Sequence, residues 1–294
     1  MPLAPEERVE VLAVLAGDAD EMISQRAAGA LLSQPPQGFL TALAQAEPAQ
    51  DVFRYCSENM ADKPGIADAL AKNPHCPAEL LLPAVRYLTV AGLQVLMENL
   101  ERLSNAPALA AAVAASSSLT ADQRRELQEL QQESSDPAAI EEAVAAAEPD
   151  RAKRQTLVQR LSRMRVVERV QLALKGNRED RTALIRDPCK VVQRAVLQSS
   201  RITEQEVEAY ASMASLSEEV LRLIAGNRNF RKNYAVLRNL VKNPKTPLDI
   251  SLHLLPNLTP QDLKLLTANR NIPDTLRNSA MRLHRQRSET KPGG

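Results

Sequence analysis

Apolar residues recur with a helical period along most of the chain, but each such run is short and ends at proline, asparagine or serine. Up to residue 98 this pattern predicts helices over 7–16, 19–32, 38–46, 48–59, 65–72, 77–87 and 90–98. Isolated helices shorter than about 12 residues are marginal in water, so each one must be held by its neighbours. The pattern therefore predicts an all-α chain of stacked short helices.

A set of helix boundaries occurs twice in the chain, at a constant offset of 170 residues. The matched positions are Asn73 with Asn243, Pro74 with Pro244, Pro77 with Pro247, Leu88 with Leu258, Thr89 with Thr259, Leu93 with Leu263, Leu96 with Leu266 and Asn99 with Asn269. A shorter match pairs Asn227 with Asn269, and both are expected in the left-handed conformation that ends a helix. Pro77 and Pro247 are expected at the first position of the next helix. We interpret the match as a tandem duplication of an array of about 110 residues.

Two threonines in the second half carry the signature of a helix start. Thr203 is followed by Glu206, and Thr259 by Asp262. Each hydroxyl is expected to accept the N–H three residues on, while the acid bonds back to the threonine N–H. Each repeat unit is thus predicted to consist of an N-cap residue, a short helix and a residue that ends the helix. Stacked units bury their apolar faces on one another.

The segment 116–165 differs from the rest because its helices are strongly polar, and the last of them, 151–164, carries five Arg or Lys and no acid. We predict four parts on this basis. They are an acidic helical-repeat array at 1–115, a polar helical linker at 116–165, a basic helical-repeat array at 166–284 and a disordered tail at 285–294.

Composition favours thin helical layers and divides the chain by charge. Hydrophobic residues make up 44% of the chain and aromatic residues 2%, and Trp is absent, which suits aliphatic contacts between helices better than a deep globular centre. Residues 1–150 hold 9 Lys/Arg against 23 Asp/Glu, a balance of −14, and residues 151–294 hold 28 against 13, a balance of +15. This asymmetry predicts two functional halves.

Cysteine usage and the first residues predict a cytoplasmic protein. Cys56, Cys76 and Cys189 are odd in number and widely spaced, which argues against a disulfide framework. The N-terminal segment carries acids and lacks the basic region of a secretory signal. The Ala-rich stretch 106–116 is too short to span a bilayer, so no membrane span is expected.

Two parts of the sequence resemble known repeat families. The segments 73–80 (NPHCPAEL) and 243–250 (NPKTPLDI) resemble the leucine-rich repeat variant pattern, which is related in style to HEAT and armadillo arrays. Residues 166–283 are also similar to a family of uncharacterised bacterial proteins, on the segments 172–178 (LALKGNR) and 184–187 (LIRD). The resemblance implies a right-handed α-solenoid made of two tandem arrays, and a bacterial source. It implies no activity and no cofactor.

No motif for catalysis rises above background. The nine glycines form no phosphate-binding loop, and no nucleophile elbow is present. We interpret His75 as a turn residue beside a small core thiol, Cys76, because no second pair lies at metal-ligand spacing. His253 lies in an apolar helix and is interpreted as a partly buried imidazole. We expect a non-catalytic protein without a metal.

The informative segment is basic, since no acid occurs between Glu219 and Asp249. A continuous helix there would place three cations on one face, at i, i+7 and i+11: Arg231, Arg238 and Lys242. The neighbouring stripe is predicted to be core, and consists of Phe230, Tyr234, Leu237 and Val241. Three arginines hold equivalent repeat positions and are expected to form a ladder along one edge: Arg178, Arg228 and Arg270.

These positions define a predicted interaction surface in the second half. It consists of Arg178, Arg228, Arg231, Lys232, Arg238, Lys242, Lys245 and Arg270. One interpretation is a groove for an acidic protein or for the phosphates of a nucleic acid. The other is a solvated face whose arginines bond carbonyls at helix C-termini.

The function predicted from the sequence is a protein–protein interaction scaffold. Its basic surface would bind an acidic protein partner, or the acidic first half of its own or another copy, because the two halves carry opposite charge. The alternative is a nucleic-acid-binding helical-repeat protein that uses the same surface.

Overall fold

The structure is a computed structural model that describes residues 3–132, 136–147 and 151–289. These residues contain 22 α-helices and two 3-10 helices, and no β-strand occurs among them. The predicted all-α class is therefore confirmed. The chain forms two compact units, unit 1 (Met1–Gln131) and unit 2 (Gln132–Gly294).

Unit 1 contains ten of the α-helices and one 3-10 helix. They are α1 (Pro5–Ala16), α2 (Glu21–Leu32), α3 (Pro36–Leu43), α4 (Gln50–Asn59), α5 (Ile66–Lys72), α6 (Ala78–Leu81), the 3-10 helix Val85–Tyr87, α7 (Val90–Glu98), α8 (Leu100–Asn105), α9 (Pro107–Ala114) and α10 (Ala121–Leu130).

Unit 2 contains the other twelve α-helices and the second 3-10 helix. They are α11 (Pro137–Ala147), α12 (Arg151–Ser162), α13 (Val166–Lys175), α14 (Arg178–Leu184), α15 (Lys190–Gln198), α16 (Glu204–Ser212), α17 (Glu218–Gly226), α18 (Arg228–Arg231), α19 (Tyr234–Lys242), α20 (Leu248–Leu254), the 3-10 helix Leu255–Asn257, α21 (Pro260–Thr267) and α22 (Asp274–Glu289).

Each helix packs mainly on helices that are close to it in the chain. In unit 1, α1 packs on α2, α3 and α4, and α5 packs on α7. In unit 2, α13 packs on α15, α16 on α19, and α21 on α22. The buried side chains between them are mostly Leu, Val, Ile and Ala. Such local packing is how helices too short to be stable alone bury their apolar faces.

Asn73 and Asn243, the first pair of the 170-residue match, make the same contacts in the two units. Asn73 Nδ2 donates to two main-chain oxygens at the C-terminal end of α3, at 2.8 and 3.0 Å. Asn243 Nδ2 donates to two main-chain oxygens at the C-terminal end of α16, at 2.9 and 3.1 Å. In each case Oδ1 accepts the N–H two residues on, at 2.9 and 3.0 Å. Both segments continue with a short α-helix, a 3-10 helix and a longer α-helix.

The predicted left-handed conformation of Asn227 and Asn269 is wrong. Asn227 has φ −77°, and Gly65 is the one residue with positive φ in the described part of the chain. Oδ1 of Asn227 and of Asn269 accepts the N–H two residues on, at 2.9 Å in both cases. The reason is the side chain itself, because an Asn that accepts the N–H two residues on turns the chain without leaving the negative-φ region. Asn therefore ends these helices through its amide group.

The two predicted threonine caps are both present but are completed differently. Thr203 Oγ1 accepts the Glu206 N–H at 3.3 Å, and Glu206 Oε2 accepts the Thr203 N–H at 3.0 Å, which is a full capping box. Thr259 Oγ1 accepts the Asp262 N–H at 3.2 Å, whereas the Thr259 N–H donates to the Tyr234 hydroxyl at 3.0 Å. Asp262 thus bonds back to the Thr259 hydroxyl, which donates to Oδ2 at 3.1 Å, while a tyrosine from α19 takes the place of the acid at the main-chain N–H.

Helices within the predicted linker 116–165 belong to the packed units. Leu127 and Leu130 of α10 are each 1% exposed in unit 1. In unit 2, α11 packs on α12 and α14, and its Ile140 and Val144 are buried. The boundary between Gln131 and Gln132 falls inside the predicted linker. The linker prediction is therefore corrected, because the apolar residues of these helices form one narrow face that is buried within a unit.

The predicted tail 285–294 is also corrected in part. Helix α22 continues to Glu289, and Arg287 Nη1 donates to the Leu258 main-chain oxygen at 2.7 Å. Residues 285–289 are therefore held by a bond to the end of another helix. The remainder of the prediction, 290–294, lies outside the described residues.

We predict that Asn73→Ala and Asn243→Ala lower the free energy of unfolding by similar amounts, about 2–4 kcal/mol each, because each leaves buried carbonyls without a donor. Asn257→Ala, at an exposed position, is the control and is expected to change it by less than about 0.5 kcal/mol. The measurement is urea denaturation of the full chain followed by circular dichroism. Equal midpoints for Asn243→Ala and Asn257→Ala would contradict the prediction.

Candidate functional site

The basic segment predicted as one continuous helix is two helices. Helix α18 ends at Arg231, and α19 begins at Tyr234 after the N-cap Asn233, whose Oδ1 accepts the Ala235 N–H at 2.9 Å. The spacing i, i+7, i+11 therefore crosses a break. The predicted single face is wrong for Arg231, whereas Arg238 and Lys242 (i, i+4) do share α19.

Lys242 and Tyr234, both in α19, are tied to the start of α21. Lys242 Nζ lies 3.1 Å from Asp262 Oδ1, and the Tyr234 hydroxyl donates to Asp262 Oδ2 at 2.5 Å. Burial acts to raise the pKa of the Asp262 carboxyl, but hydrogen bonds from Tyr234 and Lys242 hold it below its usual value. Lys242 therefore belongs to an ion pair that joins α19 to α21.

Tyr234 is 37% exposed and Phe230 is half-buried. The predicted core stripe is therefore confirmed at Leu237 and Val241 and wrong at Phe230 and Tyr234.

Five of the eight residues of the predicted interaction surface are exposed and lie at the junctions between consecutive helices. Arg178 and Arg228 are first residues of α14 and α18, Lys232 and Lys245 follow α18 and α19, and Arg270 follows α21. None of the five makes an ion pair with a residue that the structure describes. We call these five residues the turn cations. Each of the three arginines follows an asparagine, as the repeat match requires, and their arrangement as a ladder stays a prediction.

The carbonyl-capping interpretation of the basic residues applies to other arginines. Arg201 Nη1 donates to the Lys175 oxygen at 2.6 Å, and Arg277 Nη1 donates to the Asn269 oxygen at 3.1 Å. Arg102 similarly donates to the Ala71 oxygen at 3.2 Å. No such bond is made by the turn cations within the described part of the chain, so their charge is directed to solvent.

Arg231 and Arg238 are half-buried, and neither Nε has a hydrogen-bond partner among the described residues. A buried donor left without a partner costs about 1–3 kcal/mol. Both Nε atoms are closed off from solvent, so only the terminal nitrogens of these side chains are available to a ligand.

Arg231 lines a cleft of about 260 Å³ between α17, α18 and α20, which we call the unit 2 cleft. Its polar lining consists of Arg222, Arg231, Asp249 and His253, and its remaining lining of Ala225, Gly226, Ile250 and Leu254. Arg222 is paired with Asp249 at 3.3 Å and with Glu218 at 3.2 Å. The cleft therefore combines one paired arginine, one arginine without an ion pair among the described residues, and an apolar wall.

Sequence reasoning missed this cleft because its parts lie on three helices. His253 was predicted to be partly buried, but it is exposed. The correction follows from α20, where Ser251 and Leu254 face the core and His253 faces outward. The one indication in the sequence was the absence of acids between Glu219 and Asp249, because Asp249, the acid that ends this run, lines the cleft.

A larger cleft of about 730 Å³ lies in unit 1, and two of its polar side chains already hold other parts of the fold. Its lining includes Asp68, which accepts the Thr89 N–H at 3.0 Å and the Thr89 hydroxyl at 2.6 Å. Asn73 in the same cleft holds the end of α3. His75 lies there on the turn, as predicted, and Cys76 is buried, where burial raises its pKa to about 11 against the effect of Arg102.

Two buried ion pairs in unit 2 were also not predicted. Arg181 holds Glu206 through two bonds of 2.9 and 3.0 Å, and Arg169 lies 3.0 Å from Asp187. Burial raises the pKa of Asp187 despite Arg169. At Glu206 burial acts in the same direction, but hydrogen bonds from Arg181 and from the cap residue Thr203 lower the pKa overall. These pairs connect helices inside the unit and are structural.

Surface charge and the unit 2 cleft are the features that a partner of unit 2 would meet. In the described residues no group of three or more His, Cys, Asp or Glu side chains is placed to hold a metal ion. No helix there is both long enough and apolar enough to cross a membrane. Comparison of the chain with protein-family models, with curated proteins and with solved structures finds no match.

We predict that Lys242→Gln lowers the free energy of unfolding near pH 7 by about 0.5–1 kcal/mol, whereas the exposed Lys245→Gln changes it by less than about 0.3 kcal/mol. Because the pKa of folded Asp262 is lowered, its pairing stabilises the fold above the unfolded pKa of about 3.9. This contribution disappears as the pH falls through the folded value.

Urea denaturation of the two variants at pH 7 and at successively lower pH measures this difference. A gap between Lys242→Gln and Lys245→Gln that stays constant down to the lowest pH at which the chain folds would contradict the assignment. The absence of a gap at pH 7 would do so as well.

Proposed function

We propose that the chain is a non-catalytic interaction protein whose unit 2 binds an acidic protein partner. The observation that carries the proposal is the set of turn cations, which are exposed and unpaired among the described residues while Arg222 and Lys242 are neutralised by acids. Concentrated charge of one sign attracts a partner of the opposite sign and orients it before contact.

The proposal includes an α-solenoid architecture of two tandem arrays of short helices, right-handed as the resemblance to leucine-rich repeat variants implies. It is supported by the packing of each helix on near neighbours in the chain and by the shared contacts of Asn73 and Asn243. Repeat arrays use extended surfaces to bind other macromolecules. A cytoplasmic location belongs to the same proposal and is supported by three buried cysteines that form no disulfide among the described residues, Cys56, Cys76 and Cys189.

The acidic unit 1 of a second copy is one partner of suitable charge. Divided at the structural boundary, residues 1–131 hold 9 Lys/Arg and 17 Asp/Glu, a balance of −8, and residues 132–294 hold 28 and 19, a balance of +9. The contrast is smaller than the division at residue 150 suggested, because the acids of 133–150 belong to unit 2. The opposite signs remain.

A protein is favoured over a nucleic acid as the partner because the two rings of the basic segment, Phe230 and Tyr234, are already partly engaged in the fold. Sequence-tolerant binding of single strands relies on rings that stack on bases. Tyr234 bonds Asp262 through its hydroxyl, and Phe230 is half-buried. Nucleic-acid binding by the same cations is the alternative that the binding test also covers.

We predict that the triple variant Arg228→Glu, Lys232→Glu and Lys245→Glu weakens binding of the full chain to poly-L-glutamate by about tenfold or more at low salt. The matched control is Arg26→Glu, Lys63→Glu and Arg125→Glu, three exposed cations of unit 1, which changes the net charge equally. It is expected to retain affinity within about twofold. Fluorescence anisotropy with labelled poly-L-glutamate measures both.

Equal losses in the two triple variants would contradict a specific surface, since net charge alone would then explain them. Duplex DNA is the second probe. Binding of DNA by the wild type, with a steep salt dependence and without binding of poly-L-glutamate, would favour the nucleic-acid alternative.

Self-association through opposite charges predicts a particle whose mass depends on salt. We expect sedimentation velocity to show larger species at low ionic strength that dissociate near 1 M salt, where the screening length is about 3 Å. An unchanged sedimentation coefficient across this range would exclude a second copy as the partner. It would leave binding of other acidic proteins unaffected.

A further inference from the structure

We infer that the unit 2 cleft binds the carboxylate of an acidic side chain whose neighbour in the partner sequence is apolar. This inference rests on the proposed function and specifies which part of an acidic partner is recognised. It is carried by the side chains that the ends of α17 and α18 and the outer face of α20 bring to one place.

The cleft offers one cation to a carboxylate. Arg222 is already paired with Asp249 at 3.3 Å and with Glu218 at 3.2 Å. Arg231 makes no ion pair among the described residues, so it is the cation of the lining that can bind an anion. Its Nε is buried, so the contact would be made by the two terminal nitrogens of the guanidinium, which can bind a carboxylate through two parallel bonds. A phosphate dianion carries more charge than Arg231 and would face the carboxylate of Asp249.

The apolar part of the cleft lining favours an apolar residue next to the bound acid. Ala225, Ile250 and Leu254 form the wall of the cleft beside the charged groups. An apolar side chain placed there is removed from water together with this wall, which is favourable in proportion to the area buried. The cleft therefore distinguishes an acid next to an apolar residue from an acid in a polar sequence.

The volume of the cleft fits one or two side chains. At about 260 Å³ it is smaller than the range of about 300–1,000 Å³ that is usual for small-molecule pockets. A nucleotide would not be enclosed, whereas a dipeptide portion of a longer chain would be. The turn cations can then bind further acids of the same partner on either side.

Gly226 and Gly29 provide a matched pair of variants to test the cleft. Each is an exposed helical glycine at which an added Cβ would meet no heavy atom within 4 Å, so a larger side chain is tolerated at both. Gly226 lines the unit 2 cleft, and Gly29 lies in α2 of unit 1. Gly226→Phe should therefore fill the cleft, while Gly29→Phe leaves it open.

The probes are three labelled peptides of glycine and glutamate that differ in one central pair: Leu-Glu, Leu-Gln or Ser-Glu. We expect the full-length wild type to bind the Leu-Glu peptide about tenfold more tightly than the other two, because each of them lacks one of the matched groups. Gly226→Phe and Arg231→Gln should reduce this preference to within about twofold, and Gly29→Phe should retain it. Circular dichroism verifies that all variants are folded.

Equal binding of the three peptides by the wild type, still weakened by the triple charge reversal, would overturn the cleft inference and leave the proposed function standing. No binding of any peptide would overturn both. A preference that survives both Gly226→Phe and Arg231→Gln would place recognition elsewhere and overturn the inference. Displacement of the Leu-Glu peptide by inorganic phosphate, at concentrations at which acetate has no effect, would overturn the choice of a carboxylate.

Discussion

The fold depends on side chains that satisfy the main-chain groups at helix ends. A helix leaves four N–H groups and four C=O groups without intrahelical partners, and in α5 or α20, each of seven residues, these groups are a large share of the backbone. Neighbouring helices supply the missing bonds. Ser57 donates to the Leu80 oxygen at 2.5 Å and Ser199 to the Leu174 oxygen at 2.6 Å, in addition to the bonds from Asn73 and Asn243. Each such bond both completes one helix and fixes its position on another, so apolar packing and polar bonding specify the same neighbour.

This requirement also decides which charges remain for a partner. Arginines that serve helix ends, such as Arg201 and Arg277, have their donors occupied by carbonyl oxygens, and Lys242 is occupied by Asp262. The side chains of the turn cations make no ion pair and bind no main-chain oxygen among the described residues. Composition alone cannot separate the two groups, because both occur as Arg or Lys near helix ends. The difference lies in whether a carbonyl or a carboxylate of another helix is within reach.

The sequence was sufficient where a feature depends on neighbours along the chain. The all-α class, the full capping box at Thr203 and the equivalence of Asn73 and Asn243 all follow from local patterns. The sequence was insufficient where a contact joins residues of different helices. The break before Tyr234 depends on Asn233 capping α19, which a count of i, i+7 positions does not detect. The partner of Tyr234 lies 28 residues away in Asp262, and no local periodicity encodes that pairing. The cleft between Arg231 and His253 is absent from the pattern for the same reason.

In the proposed function, surface charge and the cleft contribute differently to recognition. Exposed cations act over distances comparable with the screening length, about 8 Å at physiological ionic strength, so they accelerate encounter with any acidic surface and select poorly among them. Arg231 acts at contact, and its half-buried guanidinium lies beside an apolar wall and the opposing Asp249. An anion of the wrong charge or a polar neighbour would lose interactions there that it could not recover from solvent. If unit 2 discriminates among acidic partners, the discrimination therefore has to arise in the cleft, and the turn cations determine how fast partners arrive.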